Sequence, residues 1–214
     1  MPIRLDQDVL ASTKRSVLQV FASNSSGSGF VVATRQATYC LTNLHVVQSS
    51  MTFSSNTNAS QSGPVRVRTA FGASQDALVW KWHLGLDIAL LRISPGLSDA
   101  VAAVVDTSTA AGGQAVFIWG APYGEALVPI DGIVHSSYQG SVGLNGVQKD
   151  AQLIRLRLAA QPGNSGGPVM NLAGRVLGVV TQRSEQQGVS DGYSIAVATR
   201  TFWPDIHGFI ESGQ

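Results

Sequence analysis

The chain has 214 residues, enough for one large all-β domain or two small ones, and 44% are apolar against 13% charged, which excludes a disordered polar chain. Fourteen basic and thirteen acidic residues leave a formal charge of +1 with no basic block, so neither nucleic acid nor an anionic membrane surface is implied as a partner. A single cysteine, Cys40, excludes an internal disulfide and a zinc site of clustered cysteines.

The N-terminus, MPIRLDQDVL, carries Asp6 and Asp8 where a signal peptide needs an apolar run, and a short helix is expected over roughly residues 5–12. Short apolar runs bounded by Gly, Ser, Asn, Asp and Pro then follow: 16–22, 29–34, 38–42, 65–71, 77–82, 87–93, 114–120, 128–136, 151–158, 175–182 and 193–199. Several alternate with period two. Val65, Val67, Thr69 and Phe71 share one face and Arg66, Arg68 and Ala70 the other, which reads as strand. In 151–158, Leu153, Arg155 and Arg157 interrupt the apolar neighbours in the same way. Residues 48–64 form a polar loop. A compositional break at 106–114 marks a crossing between two lobes, about 14–106 and 112–200. A final helix over about 201–212 has Phe202, Ile206, Phe209 and Ile210 at helical spacing, with Pro204 near its start. About a dozen short strands predict a sandwich or barrel, not βαβ units. No segment has the roughly 20 apolar residues of a membrane span, so a soluble chain is expected, of unknown compartment.

Gln161–Pro168, QPGNSGGP, spends three glycines and two prolines around one serine. It is either a glycine-rich hairpin turn or an exposed nucleophile whose flanking Gly163 and Gly166 let backbone N–H groups converge. As a hole for a developing oxyanion, the N–H groups of Gly163 and Ser165 are the natural donors. A serine needs a positioned base and an orienting carboxylate. His45, His83, His135 and His207 are the histidines available; His45 alone ends an apolar strand that enters a short apolar turn. Asp87 leads the apolar run DIALLRI, unlike Asp76, Asp99 and Asp106.

SGSGFVVA, LTNLHVV, DIALLRI and PGNSGGPVMNLAGRVLGVVT, in that order, resemble the chymotrypsin-fold serine proteases, and within these are most similar to the HtrA/Deg branch. The resemblance implies an all-β fold of two β-barrels with the active site between them. It implies His45 as general base, Asp87 as its orienter and Ser165 as the nucleophile forming an acyl-enzyme. Gly163, Asn164 and Ser165 would supply the oxyanion turn. The Thr181 hydroxyl would bond Asp87, and Thr181, Gln182 and Arg183 would pair with a polypeptide substrate by strand addition. Ala159 and Ala160 would form the floor of the specificity pocket, with Gly192 and Ser194 on the facing wall. With no acid there, a small or medium apolar P1 residue is expected, while Arg183 could instead reach across to acidic side chains.

Neutral Asn164 stands where digestive relatives carry an aspartate, so activation through an ion pair to a new N-terminus is not expected. No PDZ domain fits before Gln214, which leaves a role for a regulatory domain or partner protein, and oligomerisation is not implied. No metal site or cofactor is expected; the HExxH pattern of a zinc protease is missing. The alternative to a serine endopeptidase is a silent binding or scaffold module on the same fold, which loss of a triad member would favour.

Overall fold

The computed structural model describes residues 3–33, 37–55, 58–94, 97–158, 160–186 and 189–212. Helix α1 (Gln7–Lys14) begins two residues later than the sequence suggests, because Asp6 caps it: one carboxylate oxygen accepts the N–H groups of Asp8 (2.8 Å) and Val9 (3.3 Å). Thr13 accepts the indole N–H of Trp119 at 3.0 Å, which ties the helix to the second half of the chain.

Strands β1 (Val17–Phe21), β2 (Ser26–Ala33) and β3 (Thr38–Asn43) lead into a one-turn helix α2 (Leu44–Val47). After it come β4 (Met51–Phe53), β5 (Ala59–Gln61), β6 (Arg66–Thr69), β7 (Ser74–His83) and β8 (Ile88–Ile93). Strands β1-β2-β3-β8-β7-β6 close into a barrel through the antiparallel β1–β6 pair. Its interior is filled by Leu18, Val20, Val31, Cys40, Val67 and Leu91 among others. Cys40 is fully buried there, and burial pushes its thiol pKa far above the ordinary range. Two expectations need correction. The polar segment 48–64 is not all loop: β4 and β5 form a small hairpin sheet. Phe71 does not share the inward face of Val65, Val67 and Thr69. Strand β6 stops at Thr69, the chain turns back through Gly72, and Phe71 is left 61% exposed.

After β9 (Val104–Val105), the second barrel is built from β10 (Ala115–Gly120), β11 (Val128–Leu144), β12 (Val147–Arg157), β13 (Pro168–Asn171), β14 (Arg175–Gln186) and β15 (Val189–Ala198). The order is β13-β10-β11-β12-β15-β14, and a further β13–β14 pairing closes it. The fold is the two-barrel all-β architecture the sequence suggests. β9 pairs in parallel with Arg175 and Val176, so the chain reaches the second barrel just before 106–114. Ile154 and Leu156 point into this barrel. Leu153, on the opposite face, is also buried, in a layer between the barrels that contains Phe30, Phe117, Trp119 and Phe202.

β11 and β12 run well past the segments expected from sequence and form one long hairpin. Asn145 (φ 54°) and Gly146 (φ 78°) make its two-residue turn, with Leu144 opposite Val147. The tip crosses to the first barrel, where Leu144 and Val147 pack against its core and Gln48 donates to Asn145 Oδ1 at 3.1 Å. Helix α3 (Thr199–Ser212) starts two residues before the expected 201, since Thr199 Oγ1 anchors to the carbonyls of Asp106 (2.6 Å) and Leu177 (3.0 Å). Pro204 is therefore inside the helix and not near its start, at the expense of one intrahelical bond. Phe202 and Ile210 bury the helix against the layer between the barrels. Among the described residues no helix is long and apolar enough to cross a membrane.

Candidate active site

α2 holds His45 at the barrel rim, one-third exposed. Opposite it, a 3₁₀ turn over Leu84–Leu86 ends at Asp87, which adopts the left-handed conformation (φ 53°, ψ 43°) instead of opening strand β8 as the sequence suggests. That conformation costs a non-glycine residue about 1 kcal/mol. It is held in place by two bonds to the Asp87 carbonyl, from Asn43 Nδ2 (2.8 Å) and Leu44 N–H (3.1 Å). The twist turns the carboxylate inward, where it is 2% exposed. Oδ1 accepts the His45 backbone N–H at 2.9 Å; Oδ2 contacts His45 Nδ1 at 2.6 Å and accepts Thr181 Oγ1 at 2.8 Å. Three donors offset the desolvation of a buried carboxylate. With the imidazole proton on Nδ1 toward Asp87, Nε2 is left as an acceptor facing the cleft.

Ser165 reaches this rim from the second barrel. Its carbonyl accepts Ser28 N–H at 2.8 Å, a close approach that Gly27 permits: a Cβ on Gly27 would stand 2.9 Å from that oxygen. Ser165 Oγ makes no hydrogen bond to His45 or to another described group. The turn itself is set by its carbonyls. Pro162 O accepts Tyr123 N–H (2.7 Å), Gly163 O accepts Ser28 Oγ (2.7 Å) and Asn164 O accepts Gly167 N–H (3.0 Å). In a trans peptide the N–H points opposite the preceding carbonyl, so the N–H groups of Gly163 and Ser165 turn away from these partners, and neither donates to another described group. Gly163 is required twice: φ is +98°, and a Cβ would lie 2.1 Å from Ala121 O. Asn164 is fully buried beside Gly120, and both polar atoms of its amide lack partners among the described residues.

The pocket residues are partly placed. Ala160 is buried, its N–H donating to Ser194 Oγ (3.0 Å), which in turn donates to Leu158 O (2.9 Å). Gly192 is exposed with φ +79°, at a register shift within β15 that Asp191 braces by accepting Tyr193 N–H (3.1 Å) and pairing with Arg155 (2.9 Å). Thr181 falls at a register shift in β14; Gln182 and Arg183 pair with Ile195 and Ser194 of β15, and Gln182 is exposed. β13 ends opposite Val179 and Gly167 opposite Val180, so β14 has no described strand on that side from Thr181 onward. Ala159 and the Arg183 side chain lie outside the described residues.

Two contributors were not singled out from sequence. Ser28 touches the turn from the first barrel, and its only sequence signal is its place between glycines in SGSGF. Tyr123, left-handed at φ 53°, supplies the N–H to Pro162; Gln19 braces its loop by donating to the carbonyls of Gly124 (3.3 Å) and Glu125.

The two barrels, with the carboxylate–imidazole pair on one and the glycine-bounded serine turn on the other, define a fold of the chymotrypsin type. The trypsin-like peptidase domain family matches residues 27–179, and the chain belongs to that family. It is similar to Serine protease HTR4 of Rattus norvegicus, at 30% identity over 187 residues, covering 86% of this chain and 34% of that protein. The mitochondrial Serine protease HTRA2 of Bos taurus is 32% identical over 183 residues, covering 86% and 36%. The chain thus spans about a third of the length of these relatives. Among solved structures, the active form of the Rv3671c protease from M. tuberculosis superposes with a TM-score of 0.77 at 21% identity, covering 96% of this chain and 87% of that one. The HtrA-type protease AlgW with tripeptide gives 0.76 at 23%, covering 97% and 64%.

Proposed function

We propose that this chain is a serine endopeptidase acting through an acyl-enzyme. The observation that carries the reading is the His45–Asp87–Thr181 network facing a turn whose Gly163 and Ser165 N–H groups are unspent. Ser165 Oγ attacks the scissile carbonyl carbon while His45 Nε2 takes its proton, and the oxyanion is received by the two N–H groups. The carbon–nitrogen bond then breaks as His45 returns the proton to the leaving amine. Water, activated by the same imidazole, hydrolyses the ester. A Ser165 Oγ–His45 Nε2 hydrogen bond forms in the substrate complex.

Substrate backbone adds along the open side of β14 at Thr181–Arg183. At the pocket floor, Ser194 Oγ is spent on Ala160 and Leu158, which leaves an apolar surface suited to a small or medium apolar P1 side chain. One methylene there is worth about 1–3 kcal/mol, so selectivity is loose. The test is labelling with a fluorophosphonate, followed by cleavage of a peptide library. Wild type should label and Ser165→Ala should not; equal labelling of the two sinks the reading.

A further inference from the structure

We propose that Ser28 is a positioning residue for catalysis, an inter-barrel clamp that holds the oxyanion turn in its formed shape. This rests on the endopeptidase reading above. Ser28 is fully buried and every polar atom it has is used at the junction of the barrels. Its N–H donates to Ser165 O (2.8 Å) and its Oγ donates to Gly163 O (2.7 Å). The same Oγ accepts Ala121 N–H (3.0 Å), and its carbonyl accepts Thr42 Oγ1 (2.7 Å). Among the described residues it is the one side chain that hydrogen-bonds the backbone of the turn 161–167.

The geometry gives that single bond leverage. The peptide carrying Gly163 O lies between the two peptides whose N–H groups, those of Gly163 and Ser165, donate to no described group. Fixing it limits rotation on both sides, at a glycine that otherwise has wide backbone freedom. The bond from Oγ to Ala121 N–H also ties the turn to the loop that presents Tyr123 N–H to Pro162 O. Without the Ser28 hydroxyl, the half-buried Gly163 carbonyl and the buried Ala121 N–H lose their partner together. Turning Gly163 O toward the cleft then becomes the way to solvate it, and that rotation disorders the donors for the oxyanion. Substrate binding along β14 does not involve this peptide, so the loss belongs to kcat.

The experiment compares wild type, Ser28→Ala and Ser28→Cys on a fluorogenic peptide chosen from the cleavage library, with a peptidyl boronate of the same sequence as a probe of the hole. Removing a direct oxyanion donor costs about 10²–10³ in rate, and an indirect clamp should cost less. The expected result for Ser28→Ala is a kcat lowered about 10- to 100-fold, KM within about threefold, and boronate affinity weakened in step with kcat. Should the alanine variant fail to fold, Ser28→Cys, close in volume with a weaker donor, is expected to give the same split. A folded variant with kcat and boronate affinity within twofold of wild type, or with its loss confined to KM, overturns the clamp. A wild-type chain that neither labels with the fluorophosphonate nor cleaves any library peptide overturns the endopeptidase reading instead.

Discussion

The two sides of the cleft are built by different means. On the first barrel, His45 and Asp87 are held by a closed side-chain network in which both carboxylate oxygens are used and the aspartate backbone is pinned by Asn43 and Leu44. On the second, Ser165 rides a turn fixed almost wholly by main-chain carbonyls, with the buried Asn164 amide inside it lacking a partner among the described residues. The difference teaches where each half is fragile. A side-chain network fails when one member is removed. A backbone turn fails when something makes another peptide orientation cheaper.

The largest expected effect tests whether the halves act as one machine. Ser165→Ala and His45→Ala should each lower kcat/KM by about four to six orders of magnitude, and the double variant should be no worse than either; a much worse double separates the halves. Asp87→Asn should cost about 10³- to 10⁴-fold by disturbing the imidazole tautomer. Next, Gly163→Ala attacks the turn alone: its Cβ collides with Ala121 O, and kcat should fall about 10²- to 10³-fold with little change in the His45–Asp87 pair, as followed by the imidazole N–H proton signal. Asn164→Asp places a carboxylate at a fully buried site where the amide it replaces has no partner among the described residues, so denaturant unfolding should show a loss of about 3 kcal/mol near neutral pH. Burial raises that carboxyl's folded pKa, so the variant is most stable in acid and loses stability as pH rises through the raised value.

Thr181→Val removes one of three donors to Asp87, and should cost about 1.5–3 kcal/mol in stability, with a drop in kcat about tenfold, well short of Asp87→Asn. The smallest effect lies away from the cleft. His83 has a lowered pKa, from desolvation first and the charge of Lys149 second. Its neutral form is favoured in the fold, so its contribution is complete above about pH 6.5 and lost as pH falls through its lowered value. His83→Gln should flatten the decline of Tm between neutral and mildly acidic buffer.

The barrels and the order of the motifs were legible because period-two apolar runs and glycine-bounded serines are local signals. Alternation puts Phe71 on the inward face but says nothing of where a strand stops; hydrogen bonds at Thr69 and a turn at Gly72 decide that. The β11–β12 hairpin ran on past its apolar segments because pairing to a long partner sustains strand through polar residues, and Asn145-Gly146 was the cue passed over. The sequence reads Asp87 as the head of an apolar strand; its left-handed backbone depends on Asn43 and Leu44, remote in sequence. Ser28 was invisible for the same reason: its partners sit 93 and 135 residues away.

The sealed thiol of Cys40 has a practical consequence. It is the only sulfhydryl in the chain, and it sits inside the first barrel with no exposure and little thiolate character. Since thiolate is the species that alkylates, a maleimide or iodoacetamide finds it only after that barrel opens. Where reclosing outpaces alkylation, the alkylation rate in plain buffer therefore reports the fraction of molecules in which the half carrying His45 and Asp87 is open.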